Sequence, residues 1–125
     1  MKILIIDDSL TQSSMIKKII EKSKFKIQSM IATDAFEGYV YLQTHRKFDL
    51  IMLDYQMPFI DGPALVKKIK SLPEFCDIPI VMSSSTTLNI DELGVTWQLT
   101  KPVTTKSFEE CVASILPIST DNPVH

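Results

Sequence analysis

Short strand-like runs alternate with segments of helical character along this sequence. The first run, residues 3–6, contains no polar position, which is typical of a strand buried on both faces of a sheet. Residues 11–23 follow it with apolar side chains at helical spacing. Those apolar positions are Met15, Ile16, Ile19 and Ile20. Because strands and helices alternate, the sequence predicts an α/β fold with a parallel sheet covered by helices on both faces.

The same pattern divides the chain into five strands and five helices. The strands are predicted at residues 3–6, 27–32, 49–53, 78–82 and 96–100. The helices are predicted at residues 11–23 and 35–44, from after the loop at residues 58–63 to about residue 72, and at residues 88–93 and 104–116. Residues 88–93 have room for only one or two helical turns. Ser9 or Thr11 is placed to cap the first helix, and Asp34 the second.

The composition fits a single domain with its own core. The chain has 125 residues, of which 45% are hydrophobic, and a net charge of −2. No basic stripe supports nucleic-acid binding, and no apolar run approaches the ~20 residues that cross a bilayer. The two cysteines, Cys76 and Cys111, have no partner motif, which is typical of a reducing compartment. We therefore expect a cytoplasmic domain without a membrane segment.

Polar residues with reactive side chains follow four of the predicted strands. The first strand ends at Asp7 and Asp8, and the third ends at Asp54. Three serines, residues 83–85, follow the fourth strand, and Lys101 follows the fifth. Because the carboxyl ends of parallel strands meet at one edge of a sheet, we expect these side chains to converge there.

Three neighbouring carboxylates need a compensating positive charge to remain ionised together. Oxygen ligands favour a hard cation, and an open site that retains water favours Mg²⁺. His45 and His125 lie away from the strand ends, so the sequence does not indicate a zinc site. A metal beside a carboxylate, with a lysine and a hydroxyl facing it, is typical of phosphoryl transfer. Aspartate is a covalent acceptor in such chemistry.

Five segments carry a family resemblance. They are Ile-Leu-Ile-Ile-Asp-Asp-Ser (3–9), Asp-Leu-Ile-Met-Leu-Asp-Tyr-Gln-Met-Pro (49–58), Asp-Gly (61–62), Ile-Pro-Ile-Val-Met-Ser-Ser (78–84) and Thr-Lys-Pro-Val (100–103). In this order and spacing, the chain resembles a response-regulator receiver domain over essentially its whole length. The resemblance implies a flavodoxin-like, doubly wound sheet of five parallel strands in the order 2-1-3-4-5. We expect the domain to span residues 1–117 and residues 118–125 to form a flexible tail or the start of a linker.

The resemblance also implies roles for particular residues. Asp54 matches the phosphoacceptor, and Asp7 and Asp8 match the acidic pair that holds Mg²⁺. Gln56 matches the family position whose backbone carbonyl ligates the metal. Lys101 matches the lysine that contacts the phosphoryl group, and Pro102 matches a proline that follows a cis peptide bond.

The serines and two nearby polar residues have further implied roles. Ser84 falls at the position of the switch hydroxyl, with Ser83 and Ser85 as rivals for it. Ser85 then matches the small residue that lets the phosphoryl group approach. Gln56 and Thr86 occupy positions at which the family tunes hydrolysis of the aspartyl phosphate.

Two departures from the family pattern stand out. The stretch from Ser84 to Lys101 is shorter than usual by more than one helical turn, so we expect a shortened fourth helix. The family usually has Tyr or Phe three residues before the lysine, whereas this chain has Gln98 there, preceded by Trp97. Two interpretations of Trp97 stay open: a packing residue, or a replacement for the aromatic switch.

Together, these features predict a phosphoacceptor receiver of a two-component phosphorelay. A sensor histidine kinase or a phosphotransfer protein would supply the phosphoryl group and dock against the first helix. Leu10 and Met15 are candidate docking residues, although we expect Met15 to be buried in the core. The chain would catalyse only its own phosphorylation and dephosphorylation. The alternatives are a degenerate receiver that only mediates protein–protein contacts and a small Mg²⁺-dependent aspartyl phosphatase, and the sequence leaves the oligomeric state open.

Overall fold

The computed structural model describes residues 1–45, 47–57 and 62–116, which form alternating strands and helices. The strands are β1 (Lys2–Ile6), β2 (Gln28–Ala32), β3 (Leu50–Asp54), β4 (Ile80–Ser84) and β5 (Trp97–Thr100). The helices are α1 (Leu10–Lys22), α2 (Ala35–His45), α3 (Gly62–Lys70), α4 (Ile90–Leu93) and α5 (Thr105–Ile115). None of these helices combines the length and the apolar character needed to span a bilayer. The predicted boundary at residue 117 and the tail, residues 118–125, lie outside the described residues.

The strands form one parallel sheet in the order β2-β1-β3-β4-β5, which confirms the predicted fold and strand order. β3 occupies the centre, where Ile6 of β1 pairs with Leu53 and Ser83 of β4 pairs with Asp54. This parallel register brings the carboxyl ends of the strands to one edge of the sheet. In doubly wound sheets, ligands bind at that edge, where the strand order reverses.

Both faces of the sheet are covered by apolar clusters, as β1 shows. Leu4 and Ile6 pack into the cluster that includes α2 and α3, whereas Ile3 and Ile5 pack into the cluster that includes α1 and α5. All four side chains are at most 2% exposed, which explains why this run has no polar position. Burial of each side chain of this size contributes about 1.5–3 kcal/mol.

The helix caps agree with those predicted from the sequence. One core position predicted in α1, however, is wrong. Met15 is 50% exposed, whereas Ile16 and Ile20 are 8% and 3% exposed. Residues four apart share a helix face, and Met15 lies about 100° around the axis from Ile16. Met15 and Leu10 are the exposed large apolar side chains of α1. At the start of the helix, the Ser9 side chain accepts a hydrogen bond from the backbone of residue 12.

β4 begins and ends two residues later than predicted. Pro79, predicted within the strand, precedes it, and its carbonyl accepts a hydrogen bond from the Ile51 backbone N–H. At the other end, pairing continues because β5 runs beside β4, with Ser84 opposite Thr100. Ser83 and Ser84 therefore belong to the strand, and only the third serine follows it.

The fourth helix is short, as predicted. α4 spans four residues, and the side chain of Asn89 caps it by accepting a hydrogen bond from the Glu92 backbone N–H. Gly94 ends it with φ 77°, in the left-handed region that favours glycine. The connection from β4 to β5 therefore consists mainly of loop, with a single turn of helix before Gly94.

Candidate functional site

Asp54 is the last residue of the central strand and is 5% exposed. The Nζ atom of Lys101 donates to Oδ1 of Asp54 at 2.9 Å and forms a salt bridge with it. The backbone N–H of Gln56 donates to the same oxygen at 3.3 Å. A nearly buried carboxylate is thus held at the edge of the sheet by one cation and one peptide group.

Asp7 and Asp8 follow β1, the strand beside β3. One carboxylate oxygen from each of Asp7, Asp8 and Asp54 lies within 4.8 Å of the other two. Asp7 and Asp54 are buried, whereas Asp8 is exposed. The predicted convergence of three carboxylates at the strand ends is therefore present in the structure.

The electrostatics of the cluster centre on Asp7. Burial raises the pKa of Asp7 from 3.8 to about 6, against a hydrogen bond from the Ser9 backbone N–H at 2.9 Å. The negative charge of Asp54 raises this pKa further, whereas the charge of Lys101 lowers it. A divalent cation would offset both the burial and the repulsion. This oxygen donor set, open to water at Asp8, fits a hard cation such as Mg²⁺.

Among the three serines, Ser84 is the buried one, with 4% exposure. Its Oγ accepts a hydrogen bond from the Thr86 backbone N–H at 3.0 Å and lies 3.1 Å from Thr86 Oγ1. The predicted switch hydroxyl is thus engaged with the segment that follows β4.

Ser83 and Ser85 line a groove of about 380 Å³ that also includes Asp7 and Lys101. The rest of its lining comes from α1 and from the segment after β5: Gln12, Met15, Ile16, Ile19, Pro102 and Val103. The peptide bond between Lys101 and Pro102 is cis, the geometry that the resemblance implies. The groove therefore connects the acidic cluster with the exposed part of α1.

Trp97 and Gln98 contact different parts of the molecule. Trp97 is half-buried and packs against the apolar cluster that includes α1 and α5. Gln98 reaches the segment after β4, where its Nε2 donates to the Thr86 carbonyl oxygen at 2.6 Å and its Oε1 accepts from the Leu88 backbone N–H at 2.8 Å. Adjacent strand residues point to opposite faces of a sheet. The structure thus brings Gln98, not Trp97, to the residue that binds Ser84.

These contacts of Gln98 were not predicted from the sequence. The available signal was that a glutamine occupies the position at which the family usually has an aromatic residue. His45 lies apart from the acidic site. His45 packs between the rings of Tyr41 and Phe48 at the end of α2, and His125 lies outside the described residues. The same holds for two residues of the family segments, Pro58 and Asp61.

The model of one protein family, described as the response regulator receiver domain, matches residues 3–113. The chain belongs to this family. As a receiver domain, it contains the acidic pocket of Asp7, Asp8 and Asp54 at the expected edge of the sheet.

Individual relatives agree with this assignment. The chemotaxis protein CheY1 of Helicobacter pylori is 27% identical over 121 residues, which cover 93% of this chain and 97% of that protein. Stress response regulator protein 1 of Meyerozyma guilliermondii is 24% identical over 106 residues, which cover 81% of this chain and 49% of the relative. This receiver domain thus spans about half the length of that relative. The solved structure of the chemotaxis response regulator CheY4 of Vibrio cholerae is 25% identical, with a TM-score of 0.82 over 92% of this chain and 98% of that chain.

Proposed function

We propose that this receiver domain takes part in a two-component phosphorelay and accepts a phosphoryl group on Asp54 in the presence of Mg²⁺. The observation that carries the proposal is the 2.9 Å contact between Lys101 Nζ and Asp54 Oδ1 beside the two other carboxylates. Receiver domains interact with histidine kinases or phosphotransfer proteins, which supports our proposal of such a donor for this chain. The cytoplasm is the compartment in which this exchange would occur.

In the proposed step, a carboxylate oxygen of Asp54 attacks the phosphorus atom of a phosphohistidine. A P–O bond forms while the P–N bond to the imidazole breaks, and the imidazole nitrogen takes up a proton from solvent. Lys101 neutralises charge on the acceptor before transfer and on the phosphoryl oxygens after it. Bound Mg²⁺, held by Asp7, Asp8, Asp54 and the backbone carbonyl of Gln56, would supply further positive charge to the same oxygens.

The fate of the phosphoryl group depends on residues around Asp54. Ser84 would donate its hydroxyl to a phosphoryl oxygen, with Ser85 leaving room for the group. Gln56 and Thr86 would influence how fast water hydrolyses the aspartyl phosphate. The chain would therefore catalyse only its own modification and its reversal.

The phosphodonor would dock beside the acidic cluster, along α1. Leu10 is 70% exposed and Met15 is 50% exposed. Met15 also lines the groove that reaches Asp7 and Lys101. A donor histidine carried on a protein surface can approach Asp54 along this groove while apolar side chains contact α1.

Intact mass measurement tests the proposal directly. The purified chain is incubated with acetyl phosphate and Mg²⁺, and we expect one added phosphoryl group per chain. Asp54→Asn should remain unmodified, whereas the matched variant Asp77→Asn, at an exposed surface position, should behave like the native chain. A chelator should prevent the modification.

Three outcomes would contradict the proposal. If the native chain gains no phosphoryl group, the domain is a degenerate receiver that mediates contacts only. If Asp54→Asn is still modified, another residue is the acceptor. Sustained release of phosphate from a generic phosphate ester, beyond one equivalent per chain, would instead identify an aspartyl phosphatase.

A further inference from the structure

One side chain from β5 holds the loop between β4 and α4, residues 85–89, which we call the β4–α4 loop. The side-chain amide of Gln98 donates from Nε2 to the Thr86 carbonyl oxygen at 2.6 Å. Its Oε1 accepts from the Leu88 backbone N–H at 2.8 Å. Both ends of the amide are therefore used, and they bind two backbone groups of the same loop.

The β4–α4 loop in turn holds the hydroxyl of Ser84. The Thr86 backbone N–H donates to Ser84 Oγ at 3.0 Å, and the two hydroxyl oxygens lie 3.1 Å apart. Thr86 thus contacts Gln98 through its carbonyl group and Ser84 through its N–H and hydroxyl groups. Because hydrogen bonds that share a residue constrain one another, the positions of Gln98 and Ser84 are coupled through Thr86.

We infer that Gln98 is a positioning residue that keeps the Ser84 hydroxyl hydrogen-bonded to Thr86. Gln98 thereby opposes formation of a hydrogen bond from Ser84 to a phosphoryl group on Asp54. The inference rests on the proposed function. To donate to a phosphoryl oxygen, the Ser84 hydroxyl has to turn from Thr86 towards β3, and the β4–α4 loop has to follow or release it. The two hydrogen bonds from Gln98 stabilise the loop in the position that retains Ser84. Phosphorylation of Asp54 would favour the form in which Ser84 leaves Thr86, whereas the two hydrogen bonds from Gln98 favour the form in which it stays.

The chemistry of the side chain defines the test variants. A glutamine amide both donates and accepts, as the Thr86 carbonyl and the Leu88 N–H require. Gln98→Met keeps a similar length but removes both hydrogen bonds. Gln98→Glu keeps an acceptor for Leu88 and loses the donor to Thr86. Gln28→Ala, at an exposed position on β2, is the control for loss of a surface glutamine.

The first experiment is a titration of each variant with beryllofluoride, a mimic of the phosphoryl group, at saturating Mg²⁺, followed by Trp97 fluorescence or by NMR. Loss of two hydrogen bonds that favour the unmodified form should tighten the apparent affinity of Gln98→Met about tenfold. Gln98→Glu should show a smaller gain, and Gln28→Ala should match the native chain. An unchanged or weaker affinity in Gln98→Met, with the fold intact, would overturn the inference. If Gln98→Met does not fold, the same comparison is made with Gln98→Glu.

The second experiment measures amide hydrogen exchange without beryllofluoride. Gln98→Met should accelerate exchange at Leu88 and Thr86, whereas Gln98→Glu should retain more protection at Leu88 than Gln98→Met does. Equal protection of the Thr86 and Leu88 amides from exchange in the native chain and in Gln98→Met would show that Gln98 does not hold the β4–α4 loop. This readout does not require phosphorylation. If the native chain fails to bind beryllofluoride, the proposed function fails, while the exchange data still decide whether Gln98 holds the β4–α4 loop.

Discussion

The Nζ atom of Lys101 lies 2.9 Å from Oδ1 of Asp54, and the two residues come from the ends of different strands. The aspartate is 5% exposed and the lysine side chain 24% exposed. Loss of the lysine leaves a nearly buried carboxylate without its cation. We expect Lys101→Met to lower the free energy of unfolding by about 1–3 kcal/mol without divalent cations, because an unpaired buried charge is costly. Urea denaturation measures this loss.

A double-mutant cycle measures the interaction free energy between Lys101 and Asp54. In an Asp54→Asn background, Lys101→Met should lower the free energy of unfolding by less than it does in the native chain, because the acidic cluster then has one negative charge fewer. Lys106→Met, at an exposed position on α5, should have little effect in either background. Equal costs of Lys101→Met in both backgrounds would mean that the salt bridge does not stabilise the fold.

The raised pKa of Asp7 predicts a pH dependence of stability. The folded protein holds the Asp7 proton more tightly than the unfolded chain, with a pKa of about 6 against 3.8. The bound proton therefore adds to the free energy of unfolding, and this stabilisation is fully present below about pH 4 and is lost as the pH rises through 6. Without metal, Asp7→Asn should gain stability relative to the native chain between these values, by at most about 3 kcal/mol. A difference between the two proteins that stays constant from pH 4 to 7 would contradict the prediction.

Bound Mg²⁺ should offset the loss of stability that accompanies ionisation of the buried Asp7. A cation that binds only the folded state at ten times its dissociation constant adds about 1.4 kcal/mol to the free energy of unfolding. We expect Mg²⁺ to raise the midpoint of thermal unfolding at pH 7.5 in the native chain and much less in Asp7→Asn. Asp77→Asn should respond like the native chain. A similar midpoint increase in Asp7→Asn would place the bound cation elsewhere.

Gln56 provides a test of how the proposed aspartyl phosphate would be hydrolysed. Its side chain is exposed beside the acidic site, and an amide there can orient the attacking water. Gln56→Ala should lengthen the lifetime of the aspartyl phosphate by about threefold, a barrier change of less than 1 kcal/mol. Decay is followed by intact mass after removal of acetyl phosphate. An unchanged lifetime would exclude this role for the side chain, and Gln28→Ala serves as the control.

Gly62 occupies a space beside Asp54, the proposed acceptor, that leaves no room for a side chain. A Cβ atom there would lie 3.1 Å from the Asp54 carbonyl oxygen and 3.2 Å from Cα of Tyr55, both backbone atoms, and 2.9 Å from the end of the Met82 side chain. We expect Gly62→Ala to destabilise the fold by about 1–3 kcal/mol, as overpacking does, and to slow phosphorylation because β3 carries Asp54. Gly38→Ala also meets a buried side chain, that of Ile6, but should leave the phosphorylation rate of the folded protein unchanged.

Some interpretations from the sequence depended only on local patterns. The apolar run of residues 3–6 indicated burial on both faces. The positions of Asp7, Asp54 and Lys101 at strand ends then followed from the parallel order of the strands. Strand-end position depends on chain connectivity, so the sequence was sufficient to bring these three side chains to one edge.

Other features required the tertiary structure. Met15 looked like a core residue because its neighbours are apolar, but the angle at which α1 packs on the sheet decides which residues face inward. Ser84 is distinguished from its neighbouring serines by its burial, with 4% exposure, which a periodicity argument does not reveal. The raised pKa of Asp7 depends on how much water the packed sheet excludes.

The sequence by itself therefore determined the alternation of strands and helices, the short fourth helix and the set of acidic and basic residues at the strand ends. Only the tertiary structure decided that Gln98 reaches Thr86 and Leu88 while Trp97 packs on the other side. The physical reason is that alternation and strand-end position are encoded along the chain. Partners across a loop depend instead on the path that the backbone takes between two strands, and here that path brings the Thr86 carbonyl to Gln98.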